Sequence, residues 1–158
     1  MSDASRETFF RVSQLIARAA MLLDDGRFDE WIHLFDENAR YSITTRENLA
    51  QKNPIGILSC DDARMLRDRV AALRDANIYE PHHYNHLNSI PVLVDEALDQ
   101  QWRTNFLVHR IMERGETMLF ASGYYLDTFT SGTPSLQFLS RKVVLDSSAI
   151  DTLLVIPL

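Results

Sequence analysis

His82, His83 and His86 fall within five residues, next to Glu80, and form the densest group of metal-competent side chains in the sequence. On a helix, His82 and His86 would lie one turn apart and could share a zinc or iron ion. Pro81 and the strand-like residues that follow favour an extended path instead. On that path the two rings sit about 13 Å apart and cannot meet at one ion without a bend. Packed or solvated histidines are therefore the better reading. Cys60 is the single cysteine. It can form no internal disulfide, and it cannot hold an iron–sulfur centre, since even the mixed type needs two Cys and two His.

A second chemistry is acid–base work in an internal pocket. Asp24, Tyr41, His86, Asn88, His109 and Tyr125 are the side chains that could line one. A catalytic pair needs hydrogen-bond reach, which spacing alone does not give. A histidine on a strand that also carries core residues is more often a satisfied interior group. Nucleophilic catalysis has less behind it. Ser122-Gly123 is not in a G-x-S-x-G elbow. Cys60 precedes a presumed helix start that would favour the thiolate, but Asp61 and Asp62 oppose this. Glycines at 26, 56, 115, 123 and 132 form no phosphate-binding loop. The segment 64–74 carries Arg64, Arg67, Arg69 and Arg74 among Asp61, Asp62 and Asp68. It reads equally as a self-paired solvated face, with Arg64 and Asp68 spaced i,i+4, or as a subunit contact.

These groups must be held by a scaffold, and its elements are legible. Ser2 or Asp3 can cap a first helix in which Phe9, Val12, Ile16, Ala19, Ala20 and Leu23 recur at helical spacing until Asp25-Gly26 stops it. Phe28, Trp31, Ile32 and Phe35 cluster on a short second helix, with Asp29 and Glu30 in its first turn. Tyr41, Ile43 and Thr45 alternate with Ser42 and Thr44, a strand signal. Residues 47–59 read as a loop punctuated by Asn53-Pro54 and Gly56. Asp61 and Asp62 open a third helix lined by Met65, Leu66, Val70 and Leu73. After Pro81 come extended segments. One spans His86–Val94, with Pro91 implying an edge or bulge. One, around Trp102–His109, has apolar residues on both faces and so predicts cover on both. Others are Thr117–Phe129 and Leu136–Leu145, after turns at Arg114-Gly115 and Ser131-Gly132-Thr133-Pro134, and a last one is Thr152–Ile156. Helices first and hairpin-joined strands after predict an α+β fold: a cone-like, strongly curved antiparallel sheet with N-terminal helices packed on it, as one domain over 1–158.

Composition narrows the function classes. The chain has 158 residues, 46% apolar and 24% charged, ordinary values for a globular domain able to bury a core without metal or disulfides. A formal charge of −6 argues against non-specific nucleic-acid binding. The polar N-terminus lacks the pattern of a signal peptide, and no apolar run approaches a membrane span, so the expectation is a cytoplasmic protein.

Several segments together resemble one family. They are Leu22-Leu23-Asp24-Asp25-Gly26-Arg27-Phe28-Asp29-Glu30-Trp31, Leu34-Phe35, Ala39-Arg40-Tyr41, Met65-Leu66-Arg67-Asp68-Arg69-Val70 and Leu73-Arg74-Asp75-Ala76-Asn77-Ile78-Tyr79. Tyr84 to Leu87, Phe120-Ala121-Ser122-Gly123-Tyr124-Tyr125-Leu126-Asp127 and the ending Asp151-Thr152-Leu153-Leu154 with Pro157-Leu158 continue the match. The sequence resembles the small (beta) subunits of Rieske non-haem iron aromatic-ring-hydroxylating dioxygenases. Around 73–86 and 120–127 it is most similar to the branch with terephthalate dioxygenase and salicylate 5-hydroxylase, which implies aromatic carboxylates as substrates. The resemblance implies the cone fold shared with nuclear transport factor 2 and scytalone dehydratase. It also implies a structural, non-catalytic role in aromatic catabolism with no cofactor in this chain. The Rieske 2Fe-2S cluster and a mononuclear Fe(II) would sit on a large (alpha) partner subunit. The assembly would be a hetero-hexamer in which the small subunits self-associate as a trimer, with electrons arriving from NADH through a reductase or ferredoxin. Arg67, Arg69, Arg74, Tyr124 and Phe138 are the expected subunit contacts. Phe120, Tyr125, Phe129 and Leu139 add to an apolar surface larger than one core needs. The readings left open are a free-standing isomerase or dehydratase of this fold using Asp24, Tyr41, His86, His109 and Tyr125, and a small-ligand binding protein.

Overall fold

Helical periodicity at the N-terminus becomes helix α1, Asp3–Asp24, which buries Val12, Leu15, Ile16, Ala19, Leu22 and Leu23 along one stripe. In this computed structural model, residues 3–75, 80–95, 100–131, 135–149 and 156–158 are described, the Arg74 side chain excepted. The anticipated segment 152–155, Gly132-Thr133-Pro134 and the motif residues 76–79 lie outside them. Gly26 ends α1 at φ +69°, a left-handed position that glycine takes without steric cost, and the Arg27 N–H returns to the Leu22 carbonyl at 2.8 Å. Helix α2, Phe28–Ile32, follows and seats Trp31, which is wholly buried.

Strand β1, Phe35–Thr45, starts earlier than the alternation at 39–45 suggests. The stretch 47–59 is not all loop. Thr45 caps a short helix α3, Arg46–Ala50, by accepting the Asn48 N–H, and Leu58–Cys60 forms β2 against β1. Three residues are too few to show alternation, which is why the sequence hides β2. Asp62 caps helix α4, Ala63–Asp75, through Oδ1, which accepts the Met65 N–H at 2.8 Å. Leu66, Val70 and Leu73 face inward, whereas Met65 points to solvent.

The remaining strands are β3, His82–Asn88; β4, Val92–Asp95; β5, Gln101–Met112; β6, Thr117–Phe129; and β7, Phe138–Leu145. Pro91 falls between β3 and β4, so the extended segment expected over 86–94 is two short strands, both paired to the free side of β5. The sheet order is β2-β1-β7-β6-β5-β3. Its consecutive pairs are antiparallel as expected, but β1 and β7 run parallel, so the sheet is mixed. That one parallel pairing joins the chain's early and late strands. Gly123 lies where β6 meets β7 too closely for a side chain: a Cβ there would stand 2.0 Å from the Val144 carbonyl oxygen.

Helices α1, α2 and α4 cover one face of the sheet, with α1 on β3, α4 on β1 and α2 against both helices. Trp102, Phe106, Val108, Tyr125, Phe138 and Val143 meet the helix stripes there in one core. The other face of β5 is not buried as both-face patterning predicts: Asn105 and Leu107 are exposed, and Arg103 and His109 half-buried.

Candidate functional site

Two of the six pocket candidates meet. Asp24 ends α1, and His86 lies mid-way along the edge strand β3. The Asp24 carboxylate accepts the His86 backbone N–H at 2.9 Å and the imidazole Nδ1–H at 2.6 Å. A carboxylate only accepts, so Nδ1 is the donor and Nε2 is left inside; it is buried and has no hydrogen-bond partner. The imidazole is 0% exposed. The first task of this pair is structural: an edge-strand amide that faces no neighbouring strand is satisfied by the helix end.

Tyr41 and Tyr125 face the same interior but are otherwise engaged. The Tyr41 hydroxyl donates to the Leu158 carbonyl at 2.9 Å and accepts the Leu158 N–H at 3.1 Å, and Leu158 is fully buried. Tyr125 stacks on Phe106, centroids 4.4 Å apart. Burial pushes both phenols well above the ordinary tyrosine range, so each stays neutral. Among the described residues no tyrosine hydroxyl bonds His86, whose polar contacts go to Asp24. His109 is not part of this group. It pairs with Asn85 and Leu119 on the outer face, because β5 residues at 102, 104, 106 and 108 take the inner one. His82 and His86 both lie in extended β3. Among the described residues no group of three or more His, Cys, Asp or Glu could hold a metal ion. Burial raises the Cys60 thiol, and Asp61 and Asp62 add to this against Arg69. The thiol is therefore poorly disposed to act as a nucleophile.

The charge pair that dominates the interior was not singled out in the sequence. Asp127 and Arg141, 0% and 2% exposed, face each other across β6 and β7 through two bonds of 2.9 and 2.8 Å. The guanidinium also lies 4.2 Å from the Tyr125 ring and 4.3 Å from that of Phe138. Burial drives the Asp127 carboxyl upward against the pull of Arg141; burial also disfavours the Arg141 cation, and Asp127 holds it charged. A lone Asp two residues from an aromatic strand end is the signal, but nothing local names its partner.

The expected contact residues divide. Phe138 is 0% exposed and packs on Phe35 and Phe129, so it is core and not surface: its strand position 138 takes the inner register beside Phe35. Tyr125 is likewise interior, and Phe120 and Phe129 pack partly against the core. Arg67 pairs with Glu37 through two bonds of 3.0 Å, and the spacing-based pair Arg64–Asp68 is not made. Tyr124 points to the other face of β6 but is only 9% exposed, covered by the Arg103 guanidinium 4.0 Å and that of Arg46 5.5 Å from its ring. Arg46 is held by Asp146 at 2.5 Å, and Asp146 also accepts from Ser122 at 3.0 Å. Arg46, Arg103, Ser122 and Asp146 rim a concavity of about 440 Å³ shared with Leu87 and Leu107. Two others, about 480 and 580 Å³, open at Arg40, Gln101 and Ser140 and at Phe9, Leu93 and Trp102. None of the three is lined by Asp24, Tyr41, His86 or Tyr125. Exposed apolar side chains gather at Leu87, Ile90, Val92, Val94, Leu107 and Leu119, not at the aromatic residues the sequence pointed to.

Known proteins match this architecture throughout. The family model for the ring hydroxylating beta subunit matches residues 18–152. Subunit beta 1 of the terminal oxygenase component of a Comamonas terephthalate 1,2-dioxygenase is 38% identical over 149 residues, covering 94% of this chain and 97% of that one. The small subunit of a Burkholderia cepacia anthranilate 1,2-dioxygenase is 36% identical over 155 residues, 96% and 95% of the two chains. A crystal structure of a beta subunit ascribed to an aromatic-ring-hydroxylating dioxygenase of Novosphingobium aromaticivorans superposes with a TM-score of 0.89 at 29% identity, covering 99% of this chain and all of that one. A Novosphingobium protein ascribed to the scytalone dehydratases, TM-score 0.71 at 14% identity over 93% and 89% of the two chains, shares the fold alone. With that fold in place and the family model matching most of its length, the chain belongs to the family of ring-hydroxylating dioxygenase beta subunits.

Proposed function

We propose that the chain acts, over its whole length 1–158, as the non-catalytic assembly subunit of the oxygenase component of a cytoplasmic aromatic-ring-hydroxylating dioxygenase. Its proposed partner is a large alpha subunit carrying the Rieske 2Fe-2S cluster and the mononuclear Fe(II). The complex is a hetero-hexamer with the small subunits as its trimer, reduced through a reductase or ferredoxin, and its substrates are aromatic carboxylates. The match over residues 18–152 carries this reading. The names of two relatives, a terephthalate and an anthranilate dioxygenase, support the carboxylate class. The engaged hydroxyl of Tyr41 and the enclosed ring of His86 support the absence of turnover in the chain itself. Arg67, Arg69 and Arg74 on α4 and Tyr124 on β6 are its proposed subunit-contact residues; Phe138 is withdrawn.

The test is co-expression with the large subunit of such an oxygenase. The expected result is a stable complex with Rieske absorbance that hydroxylates an aromatic carboxylate, while the chain alone shows neither. Turnover of any aromatic substrate by the isolated chain, or failure to form the complex, would overturn the reading.

A further inference from the structure

Nearly every polar atom buried in a folded protein has a hydrogen-bond partner, so those without one point to something. The inner sheet face carries three in neighbouring positions: His86 Nε2 and Asn88 Oδ1 on β3, and Thr104 Oγ1 on β5, each buried and unpartnered. The pleat sets His86 and Asn88 on the same face. The register places them beside Val108 and Phe106, both buried, and Thr104 is the next inner position along β5. The two groups on β3 have the same hydrogen-bonding character. Asp24 takes the Nδ1 proton, so Nε2 holds a lone pair. Asn88 Oδ1 is also an acceptor. Two acceptors cannot bond each other, and residues two apart on a strand stand about 7 Å apart at Cα. Both Asp24 oxygens are already engaged by His86. The Tyr84 ring, its centroid 6.2 Å from the imidazole, adds an apolar wall to those of Phe106 and Val108.

We infer that the interior of the cone binds a water molecule between His86 Nε2 and Asn88 Oδ1, donating one hydrogen to each. The donor–acceptor inventory selects this guest. A carboxylate or other anion only accepts, so it would oppose both lone pairs. A metal ion needs more ligands than these, and the described residues offer no group of three. An ammonium group would carry a charge into apolar walls with no free carboxylate beside it. A ligand hydroxyl has one hydrogen and would leave one acceptor unmet. Water has two, and it is the smallest molecule that does. Buried waters typically make about three hydrogen bonds. Thr104 lies diagonally across from Asn88, a separation side chains can span, and its hydroxyl is placed to donate to the water oxygen, directly or through a second water. The clamp between α1 and β3 thereby becomes a chain of four members: Asp24, His86, water and Asn88. Asn88 is its positioning residue, acting on His86 through the water. The inference does not depend on which partner the chain takes.

A high-resolution crystal structure of the full chain and nitrogen NMR of its histidine rings test this. The crystal should show a single water-sized density peak within hydrogen-bond distance of both atoms. The NMR spectrum should show His86 protonated at Nδ1, with the Nε2 resonance shifted from the free lone-pair position by an accepted hydrogen bond. In Asn88→Leu, with circular dichroism to confirm folding, the density should be lost and the Nε2 resonance should move toward the free position, while the Nδ1 proton stays on Asp24. The wild-type readings need no variant, so they decide the matter even where the substitution prevents folding. Four results would overturn the inference: no density at the site with a free Nε2 lone pair; an Asn88 amide turned so that Nδ2 donates straight to Nε2; density for an organic molecule in place of water; or an Asn88→Leu variant whose Nε2 resonance matches the wild type.

Discussion

The same strands present two faces that have opposite requirements. On the inner face, Thr104, Phe106, Tyr125, Asp127, Arg141 and Val143 are nearly or wholly enclosed, and the charged ones are matched with full geometry. On the outer face, one residue away along each strand, Arg103, Leu107, Leu126 and Lys142 are at least partly open to solvent and carry no matching carboxylate within the field. A group removed from water must find its partner inside the fold, because an unpaired buried charge costs several kcal/mol. A group left in water is under no such demand, and its partner can come from another molecule. The inner face therefore records what stabilises the subunit, whereas the outer face is left to water.

The largest expected effect is on the inner face. Asp127→Ala leaves the Arg141 guanidinium buried without a carboxylate and should lower unfolding free energy by about 3–5 kcal/mol in urea titrations. The double replacement Asp127→Leu with Arg141→Met should recover most of that loss. If the single variant is as stable as the wild type, the contrast between faces fails. Next comes Asp24→Ala, which strands the His86 amide and imidazole; about 1–3 kcal/mol should be lost. A double-mutant cycle with His86→Ala should show that the two residues do not add, and strict additivity would mean that the clamp is not coupled.

On the outer face the same measurements should give little. Leu107→Ser should change the stability of the chain by no more than about 0.5 kcal/mol. A larger loss would show that the face contributes to the fold. The smallest effect concerns Glu37, whose carboxyl the Arg67 hydrogen bonds hold below its ordinary range. A folded value lower than the unfolded one gives stability that is present above about pH 4.3 and lost as pH falls through the folded value. Wild type and Arg67→Gln should therefore differ slightly at neutral pH and converge in acid denaturation below about pH 4; a gap that widened in acid would reverse the sign argued here.

Much of the scaffold could be read without coordinates because its signals are local. The stripe from Val12 to Leu23, the stop at Gly26, the acidic caps of α4 and the long strands β5 to β7 all follow from spacing and turn chemistry within a few residues. Helix α3 and strand β2 were missed because each is about one turn or one pair long, too short for periodicity to declare itself. Burial also misled in a definite way. Aromatic Phe138 and Tyr125 read as part of a surface excess, whereas the sheet curls enough to enclose both, and the large apolar groups exposed on its strands are Leu, Val and Met. Of the pocket candidates, Asp24 and His86 were chosen as types but not as a pair, and His109 was placed on the wrong side because both faces of its strand carry apolar residues.

The sequence by itself determined the element types, the absence of enough cysteine for an iron–sulfur centre, and the family resemblance, since all of these reside in residue identity and short-range order. Tertiary structure alone decided that β1 runs parallel beside β7, that Asp127 meets Arg141, that Asp24 clamps His86 across 62 positions, and that Leu158 closes over Tyr41. The physical reason is that burial makes partners obligatory without naming them. Which donor reaches which acceptor depends on register and curvature, and those are properties of the assembled sheet.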